Sequence, residues 1–70
     1  MRYAIVVEKT RGGYGAYVPD LPGCAATAET ESDVIAAIRE GIEIYIQELK
    51  ARGEPVPQPI SKCTEVEVRV

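Results

Sequence analysis

The chain has 70 residues, with eleven acidic and eight basic side chains, no histidine and a formal net charge of −3 at pH 7. This length holds one domain, so residues 1–70 are taken as a single unit whose small core gains from a partner. The acidic balance argues against direct binding to nucleic acid, which needs clustered cations, and favours a basic protein partner.

The composition also argues against metal, cofactor and catalytic chemistry. Cys24 and Cys63 are too few for a disulfide scaffold, and their spacing matches no zinc motif. No nucleophile has a base at motif spacing, and no Gly-rich loop opens a helix. We therefore predict a protein that is not an enzyme and has no metal site or cofactor. Without a signal peptide or an apolar run of about 20 residues, it is expected to be cytoplasmic and not to bind membranes.

The N-terminal part of the chain predicts a three-stranded antiparallel meander. Apolar and β-branched residues form strands over residues 3–8, 14–18 and 24–28. The glycine pair at 12–13 and the Pro-Asp-Leu-Pro-Gly stretch at 19–23 are typical of turns between them.

A long helix follows the third strand. Thr30 is the predicted N-cap, the helix is predicted to start at Glu31 and end near Arg52, and Gly53 supplies the C-terminal stop. Apolar residues recur at intervals of three and four and define the face toward the core. They are Val34, Ile35, Ile38, Ile42, Tyr45, Ile46 and Leu49.

The last segment predicts a fourth strand. Alternating prolines make residues 54–59 a stiff connector, and residues 64–70 then alternate between valine and charged side chains. We predict an α+β fold of β-β-β-α-β order. Its mixed four-stranded sheet has strand order 3-2-1-4, with the helix on one face after a right-handed crossover.

One sheet face has no helix to cover it in this arrangement, and it carries either Ala4, Val6 and Tyr17 or, in the other register, the residues that alternate with them. A face of this kind predicts a homo-oligomer, a dimer in preference to a tetramer. Ile44 lies outside the core stripe of the helix and is either a lone exposed residue or part of the same interface.

Three motifs in order along the chain resemble the HicB-like antitoxin family. They are Tyr14-Gly-Ala-Tyr-Val-Pro-Asp-Leu-Pro-Gly-Cys24, Arg39-Glu-Gly-Ile-Glu-Ile-Tyr-Ile46 and Gly53-Glu-Pro-Val-Pro-Gln-Pro59. The resemblance implies a trimmed RNase H-like domain without the catalytic carboxylates. It also implies an antitoxin of a type II pair that covers the active-site surface of a small basic HicA-type RNA-cleaving toxin.

Many members of that family continue into a C-terminal DNA-binding domain. This sequence is expected to be a short, stand-alone member, for which DNA binding is not expected. The alternative function is an orphan homo-oligomeric interaction or ligand-binding domain with no toxin.

Three carboxylates that could oppose a basic toxin do not belong to the solvent face of the helix, and they are Asp20, Glu29 and Glu31. We predict that they flank the turns at one end of the sheet. Tyr17 on the open sheet face is the other candidate for partner binding. Asp20 follows Pro19 in a turn, which exposes its side chain. For Glu29 both a partner contact and a helix-dipole role remain open, whereas Glu31 favours the helix dipole.

Overall fold

The computed structural model describes residues 1–70 and contains three strands and one helix. They follow one another as β1 (Val6–Thr10), β2 (Gly13–Tyr17), β3 (Ala25–Ala28) and α1 (Glu31–Ala51). The strands form one antiparallel sheet in the order β1-β2-β3, and the helix covers one of its faces. The helix lacks an apolar stretch long enough to cross a membrane.

The strand register decides which side chains face the helix. Val7 lies opposite Ala16, and Ala16 lies opposite Ala26, so these three share one face of the sheet. All three belong to the core or pack against it. The alternate positions therefore point away from the helix, and this fixes the open face of the molecule.

The two ends of the helix follow the predicted capping pattern. The Thr30 hydroxyl accepts a hydrogen bond from the Asp33 amide at 3.1 Å, and the backbone of Thr30 is extended, as an N-cap requires. Gly53 adopts a φ of 70°, which provides the left-handed stop at the other end. The predicted start at Glu31 is confirmed, and the helix ends at Ala51, one residue before the predicted end.

The core joins the helix to the turn that follows β2. Leu21 and Val34 are fully buried, and Ile38 is 1% exposed. The turn closes on itself through backbone hydrogen bonds, since Leu21 donates to the Val18 carbonyl and Cys24 donates to the Leu21 carbonyl. These bonds satisfy the turn's backbone while its central leucine enters the core.

The predicted fourth strand is wrong. The sheet has three strands and is purely antiparallel, so neither the mixed sheet nor the order 3-2-1-4 is present. Residues 54–70 contain no regular secondary structure. Val66, Val68 and Val70 are 78%, 70% and 120% exposed, so they face solvent and not the core.

The error has a physical cause. Alternation shows that an extended segment would have an apolar side, but it does not supply the neighbouring strand that the backbone must bond. The chain beyond the helix is instead held by side chains near the start of the sheet. Its last anchor is Cys63, whose thiol donates to the Ile5 carbonyl at 3.5 Å.

Candidate functional site

The open face of the sheet is the face that the helix leaves uncovered. Val6 and Tyr17 are cross-strand partners on this face, and Tyr17 is 44% exposed. Glu8 lies two residues beyond Val6 and therefore points to the same side, opposite Gly15. An exposed aromatic ring beside a carboxylate can bind an apolar and basic partner surface.

Glu8 was missed by sequence reasoning. The period of the first strand is the signal that would have found it, because Val6 and Glu8 differ by two positions. Ala4 lies just before β1 and is half-buried. Ile44 is 49% exposed on the helix, in the other layer of the fold, so the structure does not bring it together with Tyr17.

Asp20 holds the return segment, residues 54–63, against the turn after β2. One carboxylate oxygen accepts hydrogen bonds from the amides of Ile60 and Ser61 at 3.0 and 2.9 Å. The other accepts from the Ser61 hydroxyl at 2.8 Å. The hydrogen bonds from Ser61, backbone first and then side chain, lower the pKa of Asp20 from its ordinary value. Its acceptors are thus already used within the chain.

Tyr3 provides a second contact to the return segment. Its hydroxyl donates to the Pro57 carbonyl at 2.5 Å. Burial, followed by the nearby charge of Asp20, raises the pKa of the Tyr3 phenol, so the donor stays protonated. Tyr3 thus fixes the segment to the residues before β1, and Asp20 fixes it to the turn after β2.

The three predicted carboxylates do not form one acidic edge. Asp20 follows the end of β2 at Tyr17, whereas Glu29 and Glu31 follow the end of β3 at Ala28. Because β3 is antiparallel to β2, Ala28 lies beside Tyr14, at the opposite end of the sheet from Tyr17. Glu29 and Glu31 are exposed at the helix start, with no ion pair.

Metal ligands and reactive thiols were also sought among the described side chains. No three His, Cys, Asp or Glu side chains lie together as metal ligands. Cys24 is buried, and burial raises the pKa of its thiol, which disfavours the reactive thiolate.

The acid contact at Asp20 predicts how stability depends on pH. Folding lowers the pKa of Asp20, so its ionised carboxylate stabilises the fold at pH values above the ordinary pKa near 3.8. This stabilisation is lost as the pH falls through the lowered pKa. We expect Asp20→Ala to reduce the free energy of unfolding at pH 7 and to weaken its fall between pH 5 and 3. Hydrogen exchange at Ile60 and Ser61 should also accelerate.

Glu29→Ala is the matched control, since this exposed carboxylate accepts no hydrogen bond from another side chain or from a distant amide. Urea unfolding followed across this pH range compares the two variants. If the free energy of unfolding of both variants depends on pH as it does in the unmodified chain, the Asp20 hydrogen bonds contribute nothing to stability.

Comparison with known proteins identifies the family to which this chain belongs. The sheet and helix match a chain of the solved HicA3 and HicB3 toxin-antitoxin complex with a TM-score of 0.73 and 32% identity. The match covers 86% of this chain and 70% of the other. The profile of the family described as HicB_like antitoxin of bacterial toxin-antitoxin system matches residues 3–68. The chain belongs to this HicB-like antitoxin family.

Individual relatives agree with the family assignment. A UPF0150 protein of Synechocystis sp. is 42% identical over 57 residues, covering 80% of this chain and 72% of the relative. A UPF0150 protein of Thermoplasma acidophilum is 36% identical over 59 residues, covering 83% and 86%. An uncharacterised 14.9 kDa protein of Haemophilus phage HP1 is 34% identical, and this chain spans 44% of its length.

Proposed function

We propose that this chain is an antitoxin that binds a small, basic, HicA-type RNA-cleaving toxin and neutralises it by covering the toxin's active-site surface. The observation that carries the proposal is the structural match to a chain of a toxin-antitoxin complex over 86% of this chain. Membership of the HicB-like antitoxin family supports it. In this role the chain supplies binding and not catalysis.

The open sheet face is the surface that we assign to the toxin. Tyr17 provides an exposed aromatic anchor at the end of the central strand, opposite Val6. Aromatic residues of this kind carry a large share of the binding energy in protein interfaces. The carboxylate of Glu8 on the same face opposes the cations that an RNA-binding surface presents.

Glu29 and Glu31 act at longer range in this proposal. They are exposed and unpaired, so their charge raises the encounter rate with a basic partner while they contribute little to the final contacts. Asp20 lies near Tyr17 in sequence and can border the interface, but its carboxylate holds the return segment. Its substitution therefore tests stability together with binding.

The proposal predicts different kinetic effects for the two kinds of residue. Tyr17→Ala is expected to weaken toxin binding by about thirtyfold or more, mainly by faster dissociation, as for other aromatic residues that are buried when a partner binds. Glu29→Lys with Glu31→Lys is expected to slow association and reduce its salt dependence. Surface plasmon resonance with the purified toxin at two salt concentrations measures both effects.

Glu40→Lys with Glu48→Lys is the matched control, because it makes the same charge change on exposed positions of the helix. It should change association less than the pair at the helix start. Growth of cells that express the toxin, with and without each variant, gives the functional measurement. Failure of the unmodified chain to bind the toxin or to rescue growth would disprove the proposed function.

A further inference from the structure

An open apolar groove lies between the N-terminal residues and one side of the helix. Its volume is about 620 Å³. Ile46 lines it and is half-buried, but does not pack against the buried core cluster. The groove is therefore an apolar surface that the chain itself leaves unfilled. We call it the N-terminal groove, and its walls include Met1, Arg2 and Ile5 before the sheet and Ile35, Ile42 and Ile46 of the helix.

The C-terminal tail, residues 64–70, is the second apolar surface that the rest of the chain leaves uncovered. Its valines alternate with Glu65, Glu67 and Arg69, so an extended tail has one apolar and one charged side. All of its residues are exposed, and they form no backbone ladder. The Cα radius of gyration is 13.7 Å, where a compact chain of this length has about 11 Å, in agreement with a projecting tail.

The tail and the groove also match in charge. Arg2 and Arg39 line the groove, and neither forms an ion pair within the chain. The tail carries two carboxylates followed by an arginine, and the groove also has the carboxylate of Glu43. Two acids and one arginine of the tail are therefore available to pair with two arginines and one acid of the groove.

The path of the return segment directs the tail away from the part of its own groove that is formed by Met1 and Arg2. Pro57 is bound at Tyr3, and Cys63 is bound further along, at Ile5. To reach the part of the groove at Met1 and Arg2, the tail would have to reverse direction after Cys63. Residues 61–70 contain no glycine or proline that would favour such a turn.

We propose that the tail of one chain seats in the N-terminal groove of a second copy, and that the exchange is reciprocal. Each tail leaves its own chain at Ile5, which lines its own groove, so the two grooves lie close to each other around a two-fold axis. The valines of each tail cover the apolar floor formed by Ile35, Ile42 and Ile46. This self-assembly uses a surface separate from the open sheet face and does not depend on a toxin.

The first test is the oligomeric state of the full chain by sedimentation equilibrium at micromolar concentration. We expect a dimer. We expect Val66→Glu with Val68→Glu to raise its dissociation constant by at least about a hundredfold, because two valines lose their apolar contacts. These valines are exposed within the single chain, so folding should be retained. A monomeric unmodified chain overturns the proposal.

Ile44→Glu is the matched control, since Ile44 is exposed on the helix and does not line the groove. It should leave the dimer intact. If Ile44→Glu or Tyr17→Glu separates the copies and the tail variant does not, the interface lies elsewhere and the proposal is wrong.

Disulfide trapping distinguishes exchange between chains from folding back within one chain. Both partners carry Cys63→Ser, which removes the exposed thiol and leaves the buried Cys24. One tagged chain carries Ile46→Cys and the other carries Val68→Cys. A disulfide between the two tagged chains, identified by mass spectrometry, is expected. Absence of this product, or closure within a single chain that carries both cysteines at high dilution, overturns the proposal.

Discussion

Leu21→Ala is expected to lower the free energy of unfolding by about 2 to 5 kcal/mol, as for other fully buried leucines. Leu21 is fully buried, although it lies in a turn between two strands and not in a strand or the helix. It packs in the same cluster as Val34 and Ile38 of the helix. Removal of its side chain leaves a cavity where the turn, the sheet and the helix meet.

The loss expected for Leu21→Ala is large relative to the total free energy of unfolding of the domain. Only seven of the 70 residues are buried, and a domain of this size has a stability of a few kcal/mol. We therefore expect the variant to be partly unfolded at 37 °C. Ile60→Ala is the control, because its side chain is 82% exposed, and such changes stay within about 0.5 kcal/mol. Equal urea midpoints for the two variants would show that Leu21 does not anchor the core.

Local patterns identified the elements whose partners lie close in sequence. The strand-turn-strand pattern and the period of the helix depend on residues a few positions apart, and both are present in the structure. The N-cap at Thr30 was also readable, because the hydroxyl and the Asp33 amide that it bonds are three positions apart. Short-range chemistry of this kind is visible in a single sequence.

Long-range contacts could not be read in the same way. The hydrogen bonds of Asp20 join residues 40 and 41 positions apart, and no pattern at Asp20 indicates its partners. The burial of Leu21 was missed because a Pro-Asp-Leu-Pro-Gly stretch reads as an exposed turn. The tail was assigned to the sheet because alternation indicates an apolar side without indicating what covers it.

In the candidate site, too, local patterns were predicted correctly and long-range positions were not. Tyr17 was placed on the uncovered sheet face from its alternation with neighbours, and the register with Val6 agrees. The grouping of Asp20 with Glu29 and Glu31 was wrong, since antiparallel pairing sends them to opposite ends of the sheet. The family assignment came from motifs and not from any single residue, and it is confirmed over residues 3–68.

Three parts of this small chain have different roles. The return segment is held by Tyr3 and Asp20. The open face around Tyr17 is available to the proposed toxin, and the N-terminal groove is available to a second copy. Because the two surfaces are distinct, loss of one kind of binding should leave the other measurable.

Gly13→Ala is expected to lower the free energy of unfolding by about 2 to 4 kcal/mol. A Cβ atom at Gly13 would lie 2.2 Å from the Ala28 carbonyl oxygen and 2.9 Å from the Glu29 Cα. Both contacts are with backbone, so no side chain can rotate away to relieve them. The φ of Gly13 is +157°, but the close approach of β2 and the end of β3 is the main cause of the expected loss.

The neighbouring glycine provides a control within the same turn. A Cβ atom at Gly12 would meet nothing within 4 Å, and Gly12 does not have a positive φ. Gly12→Ala should therefore leave stability within about 0.5 kcal/mol, which urea unfolding at pH 7 can resolve. The displacement in Gly13→Ala should also reach the helix, because Ala28 and Glu29 lead directly to the N-cap at Thr30. Slower association with the proposed toxin would follow from the shift of Glu29, whereas identical stability of the two alanine variants would show that the strands do not approach as closely as 2.2 Å implies.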